Sequence, residues 1–142
     1  MANISSDKAF FSIVDTGASV RTLSADIVSI EGLPGPRELL DSTTLGATGH
    51  THHPTLENIR FTIEFLYNDT ASTGSAAVIN ALRTHTAATA FVFGPKGSAS
   101  GAEKFSGDCW VADVSNPIRI GSLVGIRAEF RVNGAVTRGT FA

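Results

Sequence analysis

The 142-residue chain carries 11 basic and 13 acidic side chains, for a formal charge of −2, and is 42% hydrophobic and 17% charged with 14 glycines. That length fits one domain with its own core, and the near-neutral balance offers no general attraction for phosphate backbones. Cys109 is the only cysteine, which excludes an intrachain disulfide and a multi-cysteine metal site and suits a reducing cytosol.

Met1 to Lys8 lacks a basic flank followed by an apolar core, and no apolar run reaches the roughly 18 residues that span a bilayer, so neither secretion nor a membrane anchor is expected. Phe10 to Val14 reads as a strand, Asp15-Thr16-Gly17-Ala18-Ser19 as a turn and Val20 to Thr22 as its return. Leu23 to Asp26 bends into a strand from Ile27 to Ile30. Gly32-Leu33-Pro34-Gly35-Pro36 then breaks it, because prolines remove ladder donors. Arg37 to Leu45 is expected to be extended, leading into a long polar connection from Gly46 to Thr55. Such a connection in a compact domain is functional or mobile.

The strongest signal is alternation. Ile59, Phe61, Ile63, Phe65 and Tyr67 form one apolar row, and Val124, Ile126, Ala128, Phe130 and Val132 a second. Arg60, Glu64, Arg127, Glu129 and Arg131 occupy the opposite faces. Both stretches predict half-buried antiparallel strands. Between them, Ser72 to His85 predicts a helix capped by Ser72 or Thr73, with a narrow stripe of Val78 and Leu82 flanked by Ala77 and Ala81. Phe91 to Phe93 and Lys104 to Ala112 predict further strands, the latter with Cys109 inward and Trp110 outward. Asn133-Gly134 predicts a turn before a last segment from Ala135 to Phe141.

Three constellations could carry chemistry. Asp15-Thr16-Gly17 after an apolar run resembles the catalytic loop of aspartic proteases, and one such loop per chain would require a retropepsin-like homodimer in which two carboxylates share a proton. The bland reading is a turn with Asp15 capping it. His50, His52 and His53 could bind zinc or copper, yet only Glu57 stands nearby to complete a shell, so no metal or cofactor is expected and a solvated loop is preferred. Asn3-Ile4-Ser5 and Asn68-Asp69-Thr70 match the glycosylation pattern, without a signal peptide to make use of it.

Four stretches taken together carry a family resemblance: Ile30 to Gly46, Phe91 to Gly97 with Gly101, Lys104 to Val111, and Ala128 to Arg138. In order and spacing they resemble the tail tube, or major tail, proteins of long-tailed bacteriophages. The resemblance implies a mainly β chain: an antiparallel β-sandwich or barrel with one flanking α-helix. The chain is expected to form one domain over 1–142, and its long, polar, proline-bent connection predicts a projecting loop at about 46–56, with short arms at both ends that clasp neighbours. The resemblance further implies a non-enzymatic structural subunit whose hexameric rings stack into a hollow tube that conducts DNA during ejection, in a virion tail assembled in the bacterial host cytoplasm. Copies of the same chain, with tape measure, tail terminator and distal tail proteins, are the implied partners. DNA would pass without specific binding. On this reading Thr48, His50, His52, His53 and Pro54 contact the adjacent ring, and Arg60, Glu64, Arg127, Glu129 and Arg131 are the candidate lumen-facing residues.

Overall fold

The structure, a computed structural model, describes residues 5–142. Asn3 and Ile4 of the Asn3-Ile4-Ser5 pattern, with the start of the expected amino-terminal arm, lie outside the described residues. Nine strands and one α-helix follow in order: β1 (Phe10–Val14), β2 (Val20–Thr22), β3 (Ile27–Glu31), β4 (Arg37–Asp41), β5 (His52–Glu57), β6 (Arg60–Leu66), α1 (Ser75–Arg83), β7 (Thr89–Gly94), β8 (Glu103–Ser115) and β9 (Gly125–Thr140). Short 3-10 turns cover Ser6–Lys8 and Ser24–Asp26.

Seven strands make one curled antiparallel sheet, a half-barrel in the order β2-β1-β7-β8-β9-β6-β3, while β4 and β5 pair only with each other. The alternation expected around β6 and β9 is present. Ile59, Phe61, Ile63, Phe65, Ile126, Ala128 and Phe130 are buried, while Tyr67 and Val124, at the ends of the two rows, are exposed. Inside the curl, Phe11, Phe61, Phe91 and Phe130 form an aromatic cluster, with Phe61 stacked on Phe130 at 4.8 Å between centroids and 8° between planes. Helix α1 buries Ser75, Ala76, Val78, Ile79 and Leu82, so its apolar stripe is wider than Val78 and Leu82 alone.

The start of α1 departs from the expected side-chain cap. Gly74 occupies the N-cap position, and Ser72 sits at φ 64°, outside helical geometry. The helix is instead stitched to the end of β6. Ser75 Oγ donates to the Leu66 carbonyl at 2.6 Å, and Ala76 N donates to the Asn68 carbonyl at 3.2 Å. The Asn68-Asp69-Thr70 segment is part of this joint: Asn68 Oδ1 accepts from Thr70 N and Oγ1, and its amide donates to Asp26.

Two irregularities shape the long β8–β9 pair. Val111 faces Phe130 and Asp113 faces Glu129, so Ala112 is a one-residue bulge that resets the alternation and lets Val114 pack against the core. At the other end the expected Asn133-Gly134 turn is a bulge within one continuous strand. Asp108 pairs with Asn133 and Ser106 with Thr137, and Gly134 at φ 95° absorbs the excess residues. The carboxyl-terminal stretch, where a short arm is expected, runs against β8 as far as Glu103↔Thr140.

Candidate assembly surfaces

The β4–β5 ribbon leaves the body through Gly32 and Gly35, at φ 100° and 93°. A side chain at Gly32 would press on the Arg60 carbonyl at 2.6 Å, and one at Gly35 on the Ile59 side chain at 2.5 Å. The ribbon pairs from Arg37↔Glu57 to Asp41↔His52. The expected 46–56 loop is therefore half strand, and only its first part is a connection. At its root, Glu57 Oε2 accepts from Val136 N at 3.0 Å, tying the ribbon to the β9 bulge.

Its tip is closely bonded. Ser42 N donates to the Thr51 carbonyl at 2.8 Å, Thr43 N to Asp41 Oδ1 at 2.9 Å, and Thr51 N to Thr43 Oγ1 at 2.9 Å. The Thr43 hydroxyl, the Thr43 amide and then His50 hold the Asp41 carboxyl below its ordinary range. His50 Nδ1 lies 3.5 Å from Asp41 Oδ2 and 3.3 Å from Thr43 Oγ1. Thr48, His50, His52, His53 and Pro54 are all exposed, and among the described residues no cluster of three potential metal ligands occurs. Sequence reading missed the apolar part of this surface: Leu39, Leu40, Leu45 and Leu56 are exposed at 51%, 53%, 109% and 81%.

The charged residues meet on the outer face of the sheet. Arg60 faces Arg131 and Glu64 faces Arg127 across β6 and β9. Arg127 approaches Glu64 at 3.7 Å, and Arg131 approaches Glu129 at 3.7 Å. Glu129 Oε1 is buried with no hydrogen-bond partner. Register brings further residues to the same face: Trp110 opposite Arg131, Asp113 opposite Glu129, and Glu31 opposite Thr62. Trp110 is 40% exposed, as alternation predicted.

Asp15 is consumed by its own turn. Oδ1 accepts from Gly17 N and Ser19 N, both at 2.9 Å, and Oδ2 from Arg21 Nε at 2.6 Å. The Ser19 amide, then the Arg21 side chain, keep its carboxyl below the usual range. Such an anchored carboxylate is unsuited to sharing a proton with a second one, and the bland reading of Asp15-Thr16-Gly17 is the one the geometry supports. Cys109 is buried, and burial pushes its thiol up to about 12.

The sequence matches no protein-family profile and no curated protein sequence. Solved structures, by contrast, match over nearly the whole chain. A chain of the sheath/tube terminator of the PVC extracellular contractile injection system, in its extended state, superposes with a TM-score of 0.72 at 9% identity, covering 99% of each chain. A chain from the virion of the native gene transfer agent particle gives 0.71 at 10% identity, covering 97% of this chain and all (100%) of that one. One from the tail of the empty gene transfer agent particle, of C6 symmetry, gives 0.70 at 12%, covering 98% and 100%. The curled seven-stranded sheet with its single helix and side ribbon is thus the fold of these tail and injection-particle components, and the tail-tube resemblance read from the sequence holds at the level of fold.

Proposed function

We propose that the chain is a structural subunit of a phage-type tail tube, in which hexameric rings stack into a hollow conduit for DNA. The observation that carries this reading is the β4–β5 ribbon. A two-stranded ribbon is marginally stable alone, yet this one stands off the sheet with four leucines exposed. Repeated contacts with other copies would cover them, and a ring that engages its neighbour at several places simultaneously holds even when each contact is modest. On this reading Thr48, His50, His52, His53 and Pro54 belong to the inter-ring contact.

The outer sheet face fits a lumen. Arg60, Glu64, Arg127, Glu129 and Arg131 lie on it together with Glu31, Asp108 and Asp113, so three arginines meet five carboxylates. A face of that composition gives little counterion release with a polyanion, which favours sliding over holding. Tape measure, tail terminator and distal tail proteins are the partners the resemblance implies, in a virion tail assembled in the host cytoplasm. Deleting residues 47 to 53 tests the assignment: electron microscopy should show that the purified variant no longer forms tubes, while circular dichroism should report a folded monomer. Normal tubes from the deletion would overturn it.

A further inference from the structure

A second exposed apolar surface lies at the far end of the sheet from the ribbon. In the loop joining β8 to β9, Ile118, Ile120 and Leu123 are 76%, 103% and 75% exposed. The loop is anchored, with Tyr67 N donating to the Val124 carbonyl at 2.9 Å and Gly125 N to the Pro117 carbonyl at 3.4 Å. Beneath it opens a groove of about 500 Å3, whose lining includes Leu66, Pro117, Ile118, Leu123, Glu64 and Arg119.

The two surfaces are at opposite ends of the same strands. Strand β9 starts at Gly125, opposite Leu66 and next to the loop, and reaches the ribbon root at Val136. At about 3.3 Å per residue, with the excess residues of the Gly134 bulge discounted, that separation is roughly 30 Å. Neither surface is covered within one copy. Their charges also complement each other. Of the ribbon's carboxylates, Asp41 is held by Thr43 and His50 and Glu57 by the Val136 amide, which leaves Glu38 without an ion pair among the described residues. At the groove Glu64 is engaged by Arg127, whereas Arg119 forms no ion pair among the described residues.

We propose that the β4–β5 ribbon of one copy seats its exposed leucines in the groove under the β8–β9 loop of a second copy, head to tail. This rests on the reading above that the ribbon joins copies in a stacked tube, and it adds the receiving surface. Because donor and receptor are different surfaces at opposite ends, each joint leaves a free ribbon at one end and a free groove at the other. A contact of this heterologous kind propagates as a column instead of closing as a pair.

Leu56→Asp and Leu123→Asp test it by sedimentation velocity and negative-stain microscopy, since both side chains are exposed and neither change disturbs the core. Each variant alone should raise the concentration needed for elongation by at least about tenfold, as expected for losing one buried leucine contact, with its melting temperature unchanged. Mixed in equal amounts, the two variants should form single joints, because one retains the groove and the other the ribbon. The mixture would then hold paired units but no columns. Normal elongation by Leu123→Asp while Leu56→Asp blocks it would overturn the groove assignment and leave the tube reading standing. Normal elongation by Leu56→Asp would instead remove the ribbon from the joint altogether. Wild-type protein that stops at closed dimers would overturn the polarity.

Discussion

Adjacent residues of β9 should respond oppositely to substitution. Phe130 is 0% exposed and stacks on Phe61 at 4.8 Å. Truncating it to alanine leaves a cavity in a close-packed cluster, and comparable changes cost about 3–5 kcal/mol. Arg131 points to the other face. Arg131→Glu removes one 3.7 Å contact with Glu129, between side chains 59% and 31% exposed, a pairing worth at most about 1 kcal/mol. The new carboxylate gains Arg60, its cross-strand partner, but is repelled by Glu129, whose buried Oε1 loses its nearby cation, so the net cost should be about 1–2 kcal/mol, still below that of Phe130→Ala. Urea unfolding below the assembly concentration, with a shared slope, measures both. For a chain of this size Phe130→Ala should lower the melting temperature by about 10 °C or more, and Arg131→Glu by no more than about 6 °C. If Arg131→Glu costs as much as Phe130→Ala, the outer face is not a solvated surface and its role as a lumen candidate fails. Arg127→Glu and Arg131→Glu should alter tube assembly or DNA passage while the monomer stays folded.

Further predictions concern the turn, the thiol and the ribbon exit. Asp15→Ala should cost about 0.5–1.5 kcal/mol by removing the acceptor of the Gly17 and Ser19 amides and of the Arg21 guanidinium, the exposed amides being taken up by water. Because the folded carboxyl titrates below its unfolded value, its contribution is present above about pH 3.9 and is lost as pH falls through the lower folded value. Asp15→Asn should therefore flatten the acid limb of the stability curve, and an unchanged limb would refute the assignment. Cys109, with its thiol raised to about 12, should react with a disulfide reagent at pH 8 only on unfolding. Its contribution holds below the unfolded thiol value and is lost as pH rises towards 12, and rapid labelling of the native protein would contradict its burial. Gly32→Ala should cost about 2 kcal/mol or more, from a positive φ and a 2.6 Å approach to the Arg60 carbonyl. It should also shift amide resonances at the ribbon root, and unchanged spectra would show that the exit does not depend on that turn.

Much of the sheet was legible because one face of each strand is buried. The rows Ile59 to Phe65 and Ile126 to Phe130 alternate since the core selects every second residue. The bulges at Ala112 and Gly134 were not legible, because a bulge is defined by what lies across from it and Asn133-Gly134 is an equally good turn pair in isolation. The cap of α1 escaped for a similar reason, its Ala76 amide being satisfied by the Asn68 carbonyl from outside the helix, while the Ser75 hydroxyl donates to the Leu66 carbonyl. Strand β5 was hidden more deeply. His52, His53, Pro54 and Thr55 show no alternation, since the ribbon has no core side to impose one. The adjacent leucines Leu39 and Leu40 were the available signal: neighbours in a strand point to opposite faces, so an unpartnered ribbon must expose both.

That absence of periodicity bears on function as well as on recognition. The aromatic cluster and α1 close the core without help from β4 or β5. The ribbon is tied back to the sheet by its covalent ends and by the Glu57 bond to the β9 bulge. Substitutions at its exposed leucines and histidines thus have little native packing to disrupt, and their effects should fall on contacts with other molecules. The arginine and carboxylate face differs. It belongs to the same strands that build the core, so its positions are fixed to the accuracy of the sheet, while its side chains remain free to vary in charge. A rigid sheet presenting a charged face, joined to a ribbon held away from it, separates most of the surface past which DNA would travel from the ribbon that would join copies, with Glu64 shared because it also lines the groove under the β8–β9 loop. Each can then change without unfolding the other.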